Sequence, residues 1–383
     1  MKKMAINFNE PYVTGNELKY IKKVFESSHF QGNGPFTKIA HDLLSSRLGG
    51  SDILLTHSCT GALEMASLLL NIKPGDEVIV PSFTFVTSAS SFMRSGAKPV
   101  FCEINPHSFQ IDLEDLKRKI SSQTKAVIPV HYAGNSCDMH ELVRICKSFD
   151  VPVVEDCAQG LGAKYRGEEL GSFGDLAAIS FHETKNIHCG LGGCLIINNK
   201  TMVERARIIW ERGTNRSQFF RGLVDKYSWK ELGSSFYPSE LQAAFLVAQL
   251  ENIDENLSRR RALFDRYQEK LKRLQENGLL CVLETPPGCE GNSHMVAVIL
   301  NSEKDADYVR LRMKDDGIQA VIHYVPLHES DMGAKLGYSE SDLSLTSKMS
   351  KRLLRLPMHN NMAINDCDLV IESLEKHLKV RKI

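Results

Sequence analysis

Leu176-Ala177-Ala178-Ile179-Ser180-Phe181-His182-Glu183-Thr184-Lys185-Asn186 joins an apolar run to a polar turn carrying a single lysine. A glycine cluster follows at Gly190-Leu191-Gly192-Gly193. Upstream, Val153-Val154-Glu155-Asp156-Cys157-Ala158-Gln159-Gly160 reads as another buried strand, and this one ends in a carboxylate. Short apolar runs bounded by turn signals fit strands covered on both faces. In such sheets ligands collect at the carboxyl ends of the strands. Asp156 and Lys185 are therefore expected at one edge of one sheet.

The same pattern extends outward from this stretch. Segments 53–55, 77–80, 99–102, 126–130 and 152–155 read as strands, and 61–71, 85–95, 113–120 and 139–148 as the helices between them. Segments 177–181 and 194–198 close the set, and 201–212 reads as a helix. Before it, Leu18, Ile21, Val24 and Phe25 fall on one helical face. After it, 240–274 reads as one long helix, with Leu241, Ala244, Phe245 and Ala248 on a stripe. Segments 296–300 and 320–324 read as strands of a smaller unit, with helices at 305–314 and 366–378. The expected fold class is α/β: a large, mostly parallel sheet domain over 1–250 and a small α+β C-terminal domain over 251–383.

Composition removes several function classes. The 383 residues are 42% hydrophobic and 25% charged, as in ordinary globular proteins. Lys plus Arg equals Asp plus Glu at 47 each, so no global field favours nucleic acid or an anionic membrane. An anionic substrate must be held by local groups. Arg259-Arg260-Arg261 has no interleaved aromatics and reads as a solvated helix face. No run approaches the roughly 20 apolar residues that span a bilayer, and residues 1–9 lack a signal-peptide core, so a cytoplasmic location is expected. The ten cysteines form no Cys-x-x-Cys pair and read as reduced thiols, with no metal site expected.

An amine, an anion, a phosphate cup and an aromatic cover are what a pyridoxal phosphate site needs. Lys185 supplies the amine for a Schiff base, and Asp156 the anion that keeps the pyridine nitrogen protonated. Ser58-Cys59-Thr60-Gly61 follows a strand and opens a helix, which makes an anion site. Ser180 is a second hydroxyl for the phosphate, Gln159 faces the ring hydroxyl, and Phe85 could cover the ring. Each has a plainer reading: a surface lysine, a helix N-cap in Asp-x-x-Gln, ordinary Ser or Thr caps, a core phenylalanine. A nicotinamide dehydrogenase ranks lower, because no Gly-x-Gly-x-x-Gly follows the first strand.

The segments 56–66, 74–86, 129–134, 153–160 and 180–186 stand in an order that resembles the DegT/DnrJ/EryC1/StrS nucleotide-sugar aminotransferases. That resemblance covers about 6–376. It implies the aspartate aminotransferase-like fold type I, pyridoxal phosphate, glutamate as amino donor, and a homodimer with shared active sites. Ser235 would then reach the neighbouring subunit's cofactor phosphate. Arg216, Arg221, Lys226 and Tyr227 would meet the nucleotide sugar, with His323 and Tyr324 at the entrance; His323 and His328 read equally well as structural histidines. Within the family the sequence is similar to the branch that aminates dTDP-4-dehydro-6-deoxyglucose to dTDP-4-amino-4,6-dideoxygalactose for surface polysaccharides such as enterobacterial common antigen. Relatives that dehydrate sugars carry histidine in place of the lysine, and Lys185 argues against that chemistry. One departure stands out: Leu191 occupies a position where the family usually has glutamate.

Overall fold

The structure is a computed structural model, and it describes residues 6–381. Seven strands build the large sheet: β1 (Asp52–Thr56), β2 (Glu77–Pro81), β3 (Lys98–Cys102), β4 (Thr124–Val127), β5 (Val154–Asp156), β6 (Leu176–Ser180) and β7 (Gly193–Ile197). The ladders run β3-β2-β4 and β5-β6-β7-β1, and parallel bridges Val127–Val153 and Val130–Asp156 join β4 to β5. All neighbours are parallel except β7, which runs antiparallel to both β6 and β1. The exception has a local cause. The other strands are linked through crossovers, whereas β6 returns directly into β7 through the lysine loop, and a direct return makes an antiparallel pair. Every residue of β6 and β7 is buried. Burying one Leu or Ile side chain contributes about 1.5–3 kcal/mol, so the alternative register, with these strands facing water, is strongly disfavoured.

Several helices differ from the sequence expectation, and each difference has a physical reason. Helix α3 (Cys59–Leu69) starts two residues before 61, because Ser58 caps it by accepting Gly61 N at 3.1 Å. Helix α4 (Thr87–Met93) starts after 85, leaving Phe85 and Val86 half exposed in the preceding turn. On α1 (Glu17–Ser27), Val24 is buried, but Leu18 is 80% and Phe25 60% exposed, so its expected apolar face is not covered by this chain. The 240–274 stretch is two helices, Glu240–Glu251 and Ile253–Glu276, broken at Asn252, whose side chain bonds back to Ala248 O at 2.9 Å. That side-chain bond competes with continuation of the helix.

The second unit is built on an antiparallel sheet of Leu280–Val282, Val296–Leu300 and Leu353–Leu356, with helices Glu303–Asp315 and Ile364–Arg381 against it. Its core gathers Tyr267, Leu271, Val298, Leu354 and Leu374, and Ile6 joins it through a bridge to Ile318. The segment 320–324 is not a strand. It makes one bridge, Val321 with Arg355, and then leaves the sheet to pack His323 and Tyr324 on Phe83 of the large unit. Aromatic packing across the cleft outweighs the remaining edge ladder bonds, and it carries both side chains to the carboxyl edge of the large sheet.

Candidate active site

A cavity of about 520 Å³ opens at that edge. Ser58, Cys59, Thr60, Phe85, Asp156, Gln159, Ser180, Lys185, His323 and Tyr324 all line it. Ten of the residues singled out in the sequence thus meet in one space.

Lys185 is presented by the loop between β6 and β7. Phe181 and Ile187 are buried and anchor the loop from below. Phe181 N bonds Gly192 O at 2.8 Å, Glu183 N bonds Gly190 O at 2.8 Å, and Lys185 N bonds His182 O at 2.9 Å. Gly190 has a φ of 78°, the left-handed region that favours glycine. Asn186 ties the loop to the second unit: its Nδ2 bonds Asn292 O at 3.0 Å, and its Oδ1 meets His294 Nδ1 at 2.9 Å. The lysine amine makes no hydrogen bond among the described residues, and loss of water lowers its pKa. Cys59 and Asp156 oppose that shift, and the charge of Arg355 adds to it.

Asp156 ends β5 and is buried. Its Oδ2 accepts Ser88 Oγ at 2.6 Å and its Oδ1 accepts Ala158 N at 3.1 Å. The second bond is the Asx turn that the N-cap reading anticipates, yet the carboxylate also faces the cavity. Gln159 Oε1 accepts Ala133 N at 2.7 Å, and its amide nitrogen approaches Tyr324 Oη at 3.4 Å. The first N–H groups of α3, on Cys59 and Thr60, have no partner within the helix and carry the positive end of its dipole. A Cβ on Gly193 would collide with the backbone of Ser58 and Cys59, so only glycine lets β7 pass this close under the helix end. Burial raises the Cys59 thiol well above its usual range, so it is present as thiol and not thiolate.

The entrance is aromatic. His323 stacks on Tyr324 with ring centroids 3.6 Å apart, and its Nδ1 lies 2.7 Å from Tyr132 Oη. Burial, then the charges of Arg355 and Lys185, hold His323 neutral far below its usual pKa. Burial raises both tyrosines, Tyr132 and Tyr324, so neither ionises at neutral pH. His328 lies elsewhere, buried between Ser82 Oγ at 2.7 Å and Ser347 Oγ at 2.9 Å, and it is structural.

Five sequence candidates do not line this chain's cavity. Arg216 stacks over Phe220 at 5.0 Å inside a short helix, Arg216–Phe220. Arg221 pairs with Glu204 at 2.8 Å. Lys226, Tyr227 and Ser235 are exposed and lie outside the cavity lining. The sequence reading missed Thr84, Ser88, His294 and Arg355, and it placed Arg260 on a solvated helix face, whereas Arg260 is buried, lines the cavity and donates to the carbonyls of Ser293, His294 and Met358. Nothing local marks them: Ser88 is 68 positions from the carboxylate it bonds, and His294 is 108 from Asn186.

These groups fit pyridoxal phosphate: a half-buried amine unpartnered among the described residues, an oriented carboxylate, and a helix N-terminus for the phosphate. Comparison with known proteins agrees. The profile of the DegT/DnrJ/EryC1/StrS aminotransferase family matches residues 11–375. GDP-perosamine synthase of Caulobacter vibrioides is 30% identical, over 97% of this chain and 98% of its own. The structure of DesV from S. venezuelae superposes with a TM-score of 0.89 at 28% identity, covering 98% of this chain and 99% of its own. NtdA of Bacillus subtilis, solved with bound cofactor PMP, gives 0.86 at 26% identity, covering 96% of this chain and 83% of its own. Among the described residues, no helix is long and apolar enough to cross a membrane. The chain belongs to the DegT/DnrJ/EryC1/StrS aminotransferase family, as a pyridoxal phosphate-dependent sugar aminotransferase of fold type I.

Proposed function

We propose that the chain moves an amino group from glutamate to the 4-keto carbon of dTDP-4-dehydro-6-deoxyglucose, giving dTDP-4-amino-4,6-dideoxygalactose for surface polysaccharide synthesis, as a cytoplasmic homodimer. The observation that carries the reading is the placing of a half-buried Lys185 amine, with no hydrogen bond among the described residues, in one cavity with the Asp156 carboxylate. Three cations, Lys185, Arg260 and Arg355, line that cavity against one acid, Asp156, which suits anionic substrates.

The cofactor, when bound, supplies an electron sink for the carbon that carries the nitrogen. Lys185 Nζ, made easier to deprotonate by burial, takes a proton from the donor's α-carbon and later returns one to the sugar carbon. Asp156, held by Ser88 and Ala158 N, would keep a proton on the ring nitrogen. The α3 N-terminus and Ser180 would hold the phosphate, and Phe85 and Tyr324, whose rings pack together on the cavity wall, would cover the ring and exclude water. Donor and acceptor use the site in turn, so ping-pong kinetics follow. Arg216, Arg221, Lys226, Tyr227 and Ser235 then complete the partner subunit's site. The exposed Phe220, Leu223 and Trp229 beside them support a covered surface there.

A second reading keeps the chemistry and changes the nucleotide-linked keto sugar. One observation favours it: Leu191, half exposed on the cavity wall, offers an apolar contact where the family usually has an acid. NMR of products from dTDP- and UDP-linked 4-keto and 3-keto sugars separates the two. No turnover of the dTDP-4-keto sugar, with turnover of another, replaces the first reading by the second.

A further inference from the structure

A second cavity, of about 280 Å³, lies across segment 291–295 from the first. His294 lines the first, Gly291 and Ser293 the second, and Met295 both. The helix Ile253–Glu276 divides in the same way: Arg260 lines the first cavity and its neighbour Arg261 the second. Asn135 and Ser293, on the wall of the second, are only 7% and 4% exposed, yet Asn135 Oδ1 and Ser293 Oγ have no hydrogen-bond partner among the described residues. Ser293 also holds a φ of 53°, a left-handed conformation that serine rarely adopts. Unpaired polar groups in a cavity, beside strained backbone, are costly to keep and are expected where a ligand completes them. Arg261 and Glu290 are exposed and stand at the opening. Arg261 donates to Gly291 O and lies 5.9 Å from the centre of the Phe264 ring, but it forms no ion pair among the described residues. Glu290 forms none either: Lys164, opposite it in the ladder, pairs with Glu169 at 3.5 Å.

We propose that this second cavity binds a small zwitterion, an amino acid with a hydrogen-bond-donating side chain, and that its occupant steadies the lysine loop. The proposal goes beyond the aminotransferase reading and holds whichever keto sugar the enzyme takes. With little more than half the volume of the first cavity, the second is too small for a nucleotide sugar. An anion alone would meet Glu290, and a cation alone would meet Arg261. A molecule carrying both charges, its carboxylate on the Arg261 fork and its ammonium on Glu290, is opposed by neither. Its side chain then reaches inward to Asn135 Oδ1 and Ser293 Oγ. Both oxygens accept, which calls for a carboxamide or hydroxyl donor, while Leu283 and Met295 cover the apolar stem. Two buried oxygens by themselves ask for no more than water; the two opposite charges at the opening, neither neutralised, are what select a zwitterion. The link to the lysine loop runs through the segment between the cavities. Asn292 O accepts Asn186 Nδ2 at 3.0 Å, and His294 Nδ1 lies 2.9 Å from Asn186 Oδ1. Asn292 Nδ2 also holds Gln159 O at 2.7 Å. A ligand bonded to Ser293, between Asn292 and His294, therefore acts on both anchors of Asn186, the residue next to Lys185.

The test uses the holoenzyme in its pyridoxamine phosphate form, whose cofactor already carries the amine and so does not condense with an amino acid. L-Glutamine and L-serine are the probes, with D-glucose and inorganic phosphate beside them. Calorimetry should show one amino acid bound per chain, and hydrogen exchange in the lysine loop, residues 183–192, should slow when it binds. Asn135→Leu and Arg261→Gln are each expected to weaken the amino acid by about tenfold or more, and to remove the slowing at the same concentration. Asn135→Leu takes away an unpaired buried group, so without ligand its melting temperature should equal or exceed that of the wild type, which shows that the variant is folded. No heat with either amino acid overturns the site and leaves a cavity that holds water only. Equal binding in the wild type and both variants also overturns it, by placing the amino acid elsewhere. Binding of phosphate or glucose without the amino acids overturns the ligand class. Amino acid binding with unchanged exchange at 183–192 overturns the link to the lysine loop.

Discussion

Ser88 donates its hydroxyl to Asp156 Oδ2 at 2.6 Å, and both side chains are buried. Thr84 Oγ1 stands 2.8 Å behind the serine, and Ala158 N holds the other carboxylate oxygen. The carboxylate is thus fixed in direction before any ligand arrives. Ser88→Ala removes one charge-assisted bond, worth about 1.5–3 kcal/mol, and leaves the bond from Ala158 N to the other oxygen in place. We expect a fall of about tenfold in kcat/KM, with the cofactor still bound and its absorbance shifted. Asp156→Ala should cost far more and release the cofactor. A Ser88→Ala enzyme with wild-type spectrum and rate would show that the serine does not position the acid.

Lys185 is the amine on which the chemistry turns. Lys185→Ala should lower turnover by about 10²- to 10⁴-fold while leaving the melting temperature near that of the wild type, since the side chain makes no hydrogen bond to lose. Borohydride reduction of the holoenzyme, followed by peptide mapping, should place a pyridoxyl label on the peptide containing residue 185. A label on another lysine sinks the assignment.

Glu240 holds the start of α2 (Pro35–Arg47). Its buried carboxylate accepts Gly34 N at 3.0 Å, Phe36 N at 2.8 Å and Thr37 N at 3.1 Å, and it also bonds the Thr37 hydroxyl. Glu240→Ala leaves those donors unpaired at the positive end of the helix. The expected cost is about 3 kcal/mol, read as a lower urea midpoint with unchanged slope. Glu240→Gln keeps one acceptor oxygen and should lose less.

His41 makes stability depend on pH. Its Nε2 accepts Leu55 N at 2.9 Å, which requires the neutral ring. Burial, with a smaller contribution from Arg207, pushes its pKa down to about 4 from an ordinary 6.5. Below pH 6.5 the unfolded chain takes up a proton that the folded chain refuses. Stability from this group is therefore complete above 6.5 and lost as pH falls toward 4, by about 3 kcal/mol in all. His188, His294, His323, His328 and His359 are shifted the same way and add to the slope. Denaturant midpoints at pH 7.5 and 5 should differ less in His41→Gln than in the wild type; an equal difference would exclude His41 as a source of the slope.

The sequence by itself determined the sheet and the two ends of the site. Runs such as 176–180 and 193–197 are apolar at every core position, so their burial is dictated locally. Asp156 and Lys185 each follow such a run directly, and strand ends at one edge bring them together. Helix starts were legible to within two residues, because the cap or turn residue that decides them is adjacent. The tertiary structure decided what depends on distant partners. The Ser88 bond to Asp156, the tie from Asn186 to His294, and the arrival of Arg355 in the cavity that Lys185 lines all join segments with no common local pattern. The 320–324 segment is strand-like in composition, yet packing against Phe83 and Tyr132 takes it out of the sheet. Local propensity contributes tenths of a kcal/mol per residue and long-range burial contributes whole ones. Hence the framework was readable along the chain, and the environment of the reacting amine was set only when the chain had closed around it.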